Sequence, residues 1–185
     1  MTIKVKWIEF LYKLATGTKR ARTLLTPVGA VVFGLFTTIF VVAALAFDKW
    51  LALPILVPWP ASVYISIPML ALGLVVTGWS IIHFLKAKGT PVPVNPPPRL
   101  VTTGPYAYTR NPMLTGVFSL LFGIGLMVGS ISLTFIFTPL FILVNIWELK
   151  AIEEPELVQR LGEEYIAYRN KTPMFIPSYM EKQNE

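Results

Sequence analysis

VGAVVFGLFTTIFVVAALAF, residues 28–47, contains no charged residue. A helix of about 20 mostly apolar residues crosses the hydrocarbon core of a bilayer and satisfies its own backbone there. The stretch predicts a first membrane span from Val28 to Phe47, with Thr26 as cap and Pro27 at the first helical position. Three more apolar runs follow: Ser62–Leu85 with His83 in its last turn, Met113–Val128 opened by Pro112, and Ile131–Trp147. The last two are joined by Gly129-Ser130 and read as a tight hairpin. Gly123-Ile124-Gly125, inside the third run, reads as a helix-packing surface. The predicted fold class is all-α integral membrane, with four transmembrane helices. Composition agrees: only 14% of the 185 residues are charged and 54% are hydrophobic, whereas soluble domains carry about 25% charge.

The flanks set the topology. Ile3, Trp7, Phe10, Leu11 and Leu14 recur at helical spacing, interrupted by Lys4, Lys6 and Lys13 and followed by Lys19, Arg20 and Arg22. This predicts an amphipathic helix on an anionic membrane face, a fifth helix if it inserts. Ala44-Leu45-Ala46 resembles a signal-peptide cleavage site, but the apolar run is too long and the basic region before it too extended. With four spans both termini share a side. That side then holds fifteen of the sixteen Lys and Arg residues, Lys49 being the exception. The positive-inside rule makes it cytoplasmic. The opposite loop, Trp50 to Pro60, is apolar, broken by Pro54, Pro58 and Pro60, with Trp50 and Trp59 as interfacial anchors. The expected organisation is one domain over 1–185: a basic N-terminal helix over 1–25, a bundle over 26–147 containing a cytoplasmic loop at 86–112, and a cytoplasmic helix and tail over 148–185.

Composition also excludes chemistry. The absence of cysteine removes disulfides, thiolate metal sites, iron–sulfur clusters and cysteine nucleophiles. A single histidine, His83, removes His-rich metal sites and bis-His haem, and no metal is expected. Asp48 is the only aspartate, too few for a metal-dependent lipid phosphotransferase. Polar chemistry is left to Arg, Glu, Asn, Tyr and the backbone.

Those residues collect in two segments on the cytoplasmic side. The first, Lys88 to Pro112, opens with five prolines between Pro91 and Pro98, which predict a stiff extended strap. Arg99 to Met113 follows, with a turn at Gly104-Pro105, then Tyr106, Tyr108 and Arg110-Asn111-Pro112 leading into the third span. A helix start carries unpaired N–H groups, so a carboxylate is favoured there and Arg110 can add a two-pronged contact. The second segment, Glu148 to Pro177, carries Glu153 and Glu154. Pro155 is expected to end or restart the helix, and Glu156 to Tyr168 reads as a separate amphipathic helix in which Glu156 pairs with Arg160. Adjacent Glu153 and Glu154 point to different sides of a helix and need not share a pocket. Together the segments suit a zwitterionic cation: a carboxylate for Arg110, an ammonium for Glu153, a flat part for tyrosines. S-adenosylmethionine fits, as do other amino-acid-like ligands.

Two motifs carry a family resemblance over Gly89 to Pro177. Leu-Val-Thr-Thr-Gly-Pro-Tyr-Ala-Tyr-Thr-Arg-Asn-Pro-Met from Leu100, then Gly116, is one; Glu153-Glu154, then Leu161-Gly162-Glu-Glu-Tyr165-Ile-Ala-Tyr168 and Pro173, is the other. With these the chain resembles the isoprenylcysteine carboxyl methyltransferases and the related phospholipid N-methyltransferases. The resemblance implies an integral membrane enzyme that uses S-adenosylmethionine, yields S-adenosylhomocysteine and holds the cofactor at the cytoplasmic face. It implies cofactor contacts at Leu100, Val101, Gly104, Tyr106, Arg110, Asn111, Pro112, Met113, Leu114 and Glu153, and catalytic work at Arg110, Glu153 and Glu154. The Arg-His-Pro-x-Tyr usual in the prenylcysteine enzymes is Arg110-Asn111-Pro112-Met113-Leu114 here, and Leu149 stands where they carry an arginine. Asn-Pro-Met and Glu-Glu-Pro are closer to the phospholipid branch and to short prokaryotic members.

The expected reaction is methyl transfer to a lipophilic substrate entering from the bilayer, most like carboxyl O-methylation of an isoprenylcysteine-type substrate. A carboxylate acceptor needs no base, whereas an amine needs one, with Glu154 or Glu153 the candidates. Phospholipid N-methylation and thiol S-methylation are the alternatives. The non-enzyme alternative is a small transporter or binding module, disfavoured because the spans contain almost no charge for an ion path. Expected partners are that substrate and membrane lipids, with no nucleic acid; oligomeric state is left open.

Overall fold

A computed structural model describes residues 3–90 and 92–176 of the chain. Pro91 of the strap, and Pro177 and Lys182 of the C-terminal segment, lie outside the described residues. Among the described residues all regular structure is helical.

Helix α1, Ile3–Ala15, has 13 residues, about 20 Å of rise and too short for a hydrocarbon core of about 30 Å. Three residues later α2 runs unbroken from Lys19 to Trp50. It starts nine residues before the predicted span because Thr18, not Thr26, is its cap, accepting from the Ala21 N–H at 3.4 Å. Pro27 therefore sits inside the helix. The Thr23 and Thr26 hydroxyls donate to the Lys19 and Arg22 carbonyls in the turns around it, each at 2.9 Å. Val28, Val31, Val32, Leu35, Ile39 and Val42 are all more than half exposed. Such a stripe is unfavourable in water and suited to lipid.

α3, Ala61–Lys86, and α4, Pro112–Met127, form the closest pair. Gly73 and Gly116 let their backbones approach: a Cβ on Gly116 would lie 2.8 Å from the Thr77 N and 2.9 Å from the Gly73 O. Gly123 lies under Leu70, so the small residues of α4 do serve packing. Ser119 adds a cross-helix hydrogen bond to the Met69 carbonyl at 2.8 Å.

The last long helix, α5, spans Leu133–Leu161. It contains two wide turns, Leu133–Phe137 and Leu149–Glu153, in which an N–H reaches five residues back: Thr138 to the Leu133 O and Glu154 to the Leu149 O. On the far face, Asp48 at the end of α2 accepts from the Ser130 hydroxyl and from the Ser132 N–H (2.9 Å), while Ser130 Oγ accepts from the Leu133 N–H at 3.0 Å. The sole aspartate is thus a helix-start cap across elements. Beside it Leu56 donates to the Gly129 carbonyl at 2.8 Å, tying the apolar loop to the hairpin turn. Phe118, Leu121 and Phe141 make the buried core, with Phe33, Phe36 and Phe40 of α2 packed against it. Three long apolar helices and the shorter α4 make an all-α integral membrane bundle.

The glycine contacts yield a comparison. Gly116→Ala should cost about 1–3 kcal/mol from overpacking against α3. Gly34→Ala, with nothing within 4 Å of its Cβ position, should cost nothing. Unfolding of the two detergent-solubilised variants by SDS titration measures the difference.

Candidate active site

One cavity lies on the face opposite Asp48, and residues of both polar segments line it. Pro93, Pro96 and Pro97 form one wall. They do not run as an extended strap: Thr90 N–H donates to the Asn95 O at 2.8 Å and Asn95 N–H to the Val92 O at 2.9 Å, folding the segment on itself. A proline run leaves few N–H donors, and Asn95 supplies the one that closes the turn. The chain then passes Arg99, Leu100 and Val101 to the 3₁₀ turn Gly104–Ala107, which drops Tyr106 inward. Gly104 has φ +61° and lies against the His83 ring, where a Cβ would clash. Tyr106 is buried against Phe84, ring centroids 4.9 Å apart, while Tyr108 points out and is 61% exposed.

The opposite wall is the end of α5. Its second wide turn precedes Pro155 and absorbs the ring and the missing N–H, so the helix continues to Leu161 instead of ending at Pro155. Glu153, Glu156, Leu157, Arg160 and Leu161 then share one face and line the cavity. The break comes at Gly162, φ +59°, a backbone conformation that glycine adopts readily. The predicted single helix over Glu156–Tyr168 is therefore two, the second being α6, Glu163–Lys171. It folds back to place Tyr165 and Tyr168 on the cavity.

Hydrogen bonds join the walls. Tyr168 Oη donates to the Tyr106 carbonyl at 2.7 Å. Arg110 N–H donates to the Pro173 O at 2.9 Å, Asn111 N–H to the Met174 O at 3.2 Å, and Thr109 Oγ1 to the Met174 O at 2.7 Å. Arg110 Nη2 stands 2.9 Å from Glu154 Oε1, both side chains nearly shielded, and Nη1 donates to the Arg169 carbonyl at 3.2 Å. Arg160 pairs with Glu156 at 2.8 Å, as expected from the spacing. Among the described residues, two lining charges have no opposite charge within 4 Å: Arg99 and Glu153. Arg110 Nε is buried without a protein acceptor among them. Burial pushes the Tyr106, Tyr165 and Tyr168 hydroxyls up, so they stay neutral phenols and serve as donors, not bases.

Of the residues singled out from sequence, Leu100, Val101, Tyr106, Arg110, Asn111 and Glu153 line the cavity. Glu154 sits behind it on Arg110. Gly104 supports the turn, Pro112 is buried at the first position of α4, and Leu114 packs against the Phe118 cluster. Those three and Met113 are not among the lining residues. Sequence reasoning missed Arg99, Phe84, Glu156, Leu157, Arg160, Tyr165 and Tyr168 as cavity residues. The i, i+3, i+4 spacing from Glu153 to Leu161 was the available signal for the α5 wall; none in the sequence pointed to Phe84.

The donor set fits a zwitterionic cation of the S-adenosylmethionine kind. Glu153 and three aromatic rings meet positive charge, the unpartnered Nε of Arg110 meets a carboxylate, and Leu100, Val101 and Phe84 give flat apolar surface. No group of three His, Cys, Asp or Glu side chains able to hold a metal ion occurs among the described residues.

The family model described as phospholipid methyltransferase matches residues 61–164. The nickel-cobalt-cadmium resistance protein NccN of Alcaligenes xylosoxydans xylosoxydans is 29% identical over 121 residues, 64% of this chain and 52% of that protein. The protein-S-isoprenylcysteine O-methyltransferase of Schizosaccharomyces pombe is 35% identical over 109 residues, 57% of this chain and 42% of that protein. The chain thus spans about half the length of these curated relatives. No solved structure matches it.

The two glutamates should separate in stability. Glu154→Gln leaves Arg110 shielded without its counter-charge and should cost about 3–5 kcal/mol. Glu153→Gln breaks no ion pair among the described residues and should leave the thermal midpoint in detergent nearly unchanged. Differential scanning fluorimetry of the two variants tests this.

Proposed function

Because the chain belongs to the phospholipid methyltransferase family, we propose that it methylates a lipophilic acceptor in the membrane, using S-adenosylmethionine and releasing S-adenosylhomocysteine at the cytoplasmic face. The observation that carries this reading is the presence of Glu153, Arg99 and three tyrosines on one cavity that both family motifs line. When bound, the cofactor supplies an electrophilic methyl carbon on a cationic sulfur, transferred with the bonding pair left on that sulfur.

The chain's own work is placement. Glu153 holds positive charge at a site sheltered by apolar wall residues, where electrostatic attraction is stronger than in water. The tyrosine faces extend that preference without supplying a base. Arg110 is held by Glu154 and the Arg169 carbonyl, so its remaining N–H keeps one direction and acts as a fixed donor. Arg99, unpaired among the described residues, is left to meet an anionic group. That free cation favours a carboxylate acceptor, which loses no proton on methylation and matches the prenylcysteine relative. An amine acceptor is the second reading, favoured by Glu153, unpaired among the described residues, which would take the proton. The cavity of about 110 Å³ is smaller than the roughly 300–1,000 Å³ of ordinary ligand pockets. A wall must therefore give on binding. From Thr90 onward the strap's described hydrogen bonds are within itself, which makes it the wall that yields.

Radiolabelled methyl transfer in membranes, with the product identified by mass spectrometry, tests the reading. Glu153→Gln should lower the rate about 100-fold with the fold intact. Arg99→Ala should raise the acceptor KM for a carboxylate and leave it unchanged for an amine. Full activity in Glu153→Gln would remove the assignment, and a methylated amine product would select the second reading.

A further inference from the structure

The part of the molecule left unused by that chemistry is its first 22 residues. They hold six cations and one acid, Glu9. α1 has two apolar sides. Ile8, Leu11, Tyr12 and Ala15 turn inward, Ala15 only 5% exposed, and α1 packs on residues 149–161 of α5. Trp7 and Phe10, edge to face at 5.6 Å, remain about half exposed. Lys4, Lys6 and Lys13 are exposed on the same short helix. The link to α2 is only Thr16 to Thr18, and Arg22 of α2 clasps the Ala15 carbonyl at 3.4 Å with its Nε buried and unpartnered among the described residues.

We propose that α1 and the start of α2 form a docking surface for the anionic bilayer leaflet, and that this docking fixes the acidic wall of the cavity. α2 begins after a three-residue link and carries no charge from Thr23 to Phe47, so α1 is confined near the interface where that apolar stretch begins. An exposed aromatic pair bordered by lysines matches apolar insertion beneath negatively charged headgroups. A neutral leaflet supplies the first attraction without the second, and a soluble partner would have to displace lipid to reach the same side. The inward side of α1 rests on the stretch of α5 that carries Glu153, Glu156 and Arg160. Seating α1 therefore holds that stretch in place against the tyrosine wall. The docking stands by itself; its effect on turnover rests on the methyl-transfer reading.

Hydrogen exchange of the full chain in nanodiscs separates the two. With phosphatidylglycerol added to phosphatidylcholine, amides of α1 and of residues 149–161 should exchange at least about tenfold more slowly than in phosphatidylcholine alone. High salt, or the exposed-face triple variant Lys4→Gln, Lys6→Gln, Lys13→Gln, should abolish the difference while leaving the thermal midpoint in neutral detergent unchanged. Equal exchange in both lipids overturns the docking. Protection confined to α1, with residues 149–161 unchanged, overturns the coupling to the cavity. Lipid-dependent protection of both segments with no methyl transfer to any membrane acceptor supports the docking and defeats the functional reading instead.

Discussion

The pairing of Arg110 with Glu154 organises this protein. Neither charge is well placed to be solvated alone, and each satisfies the other across two segments 44 residues apart in sequence. Once the pair forms, Arg110 is also within reach of the Arg169 carbonyl, and its own N–H meets Pro173. The C-terminal tail is thereby laid along the loop that precedes α4, and Phe175 is placed 5.3 Å from Phe118 in the apolar core. A charged contact, a short run of backbone hydrogen bonds and an aromatic anchor thus close one cavity from two separate segments of the chain. The opposite face uses the same logic with less charge: Asp48 satisfies orphan donors at the start of α5 and binds it to α2.

The second constraint is Pro155. In a regular α-helix it would leave a carbonyl unpaired and press its ring on the preceding turn. The wide turn at Leu149–Glu153 relieves both and resets the register of the helix. Its consequence is chemical. Glu153 reaches the cavity while Glu154 reaches Arg110, so neighbouring carboxylates that look redundant have separate surroundings: one on the cavity and unpaired among the described residues, one neutralised behind it. This division makes Glu153 available to a cationic ligand without asking two like charges to share a site.

Much was legible in the chain beforehand. The four apolar runs are charge-free, and in lipid such a run satisfies its own backbone as a helix, so the helices follow from composition. The clustering of Tyr, Arg and Glu in two segments, and an even number of crossings, brought those segments to one face. The boundaries were less legible. Thr26-Pro27 looked like a helix start because a cap residue before proline is a local signal; Thr18 outcompeted it because the polar residues between them are still good helix formers. The strap was expected to extend because proline run statistics ignore a single donor such as Asn95. The break at Gly162 was hidden by the helical spacing of Leu157, Leu161, Tyr165 and Tyr168, a pattern that two short helices meeting at a glycine satisfy equally well.

By itself the sequence determined that this is an α-helical membrane protein with its polar chemistry on one face, because continuous charge-free runs satisfy their backbone in lipid as helices while charged residues are kept out of it. Only the tertiary structure decided which charges cancel and which stay open. Among the described residues, Arg110, Glu154, Glu156 and Arg160 are consumed in pairs, Arg99 and Glu153 are not, and no local pattern distinguishes them. The reason is geometric: pairing depends on distances of a few ångströms between segments far apart in the chain, set by a widened helical turn, a left-handed glycine and the packing of α6 against the loop before α4.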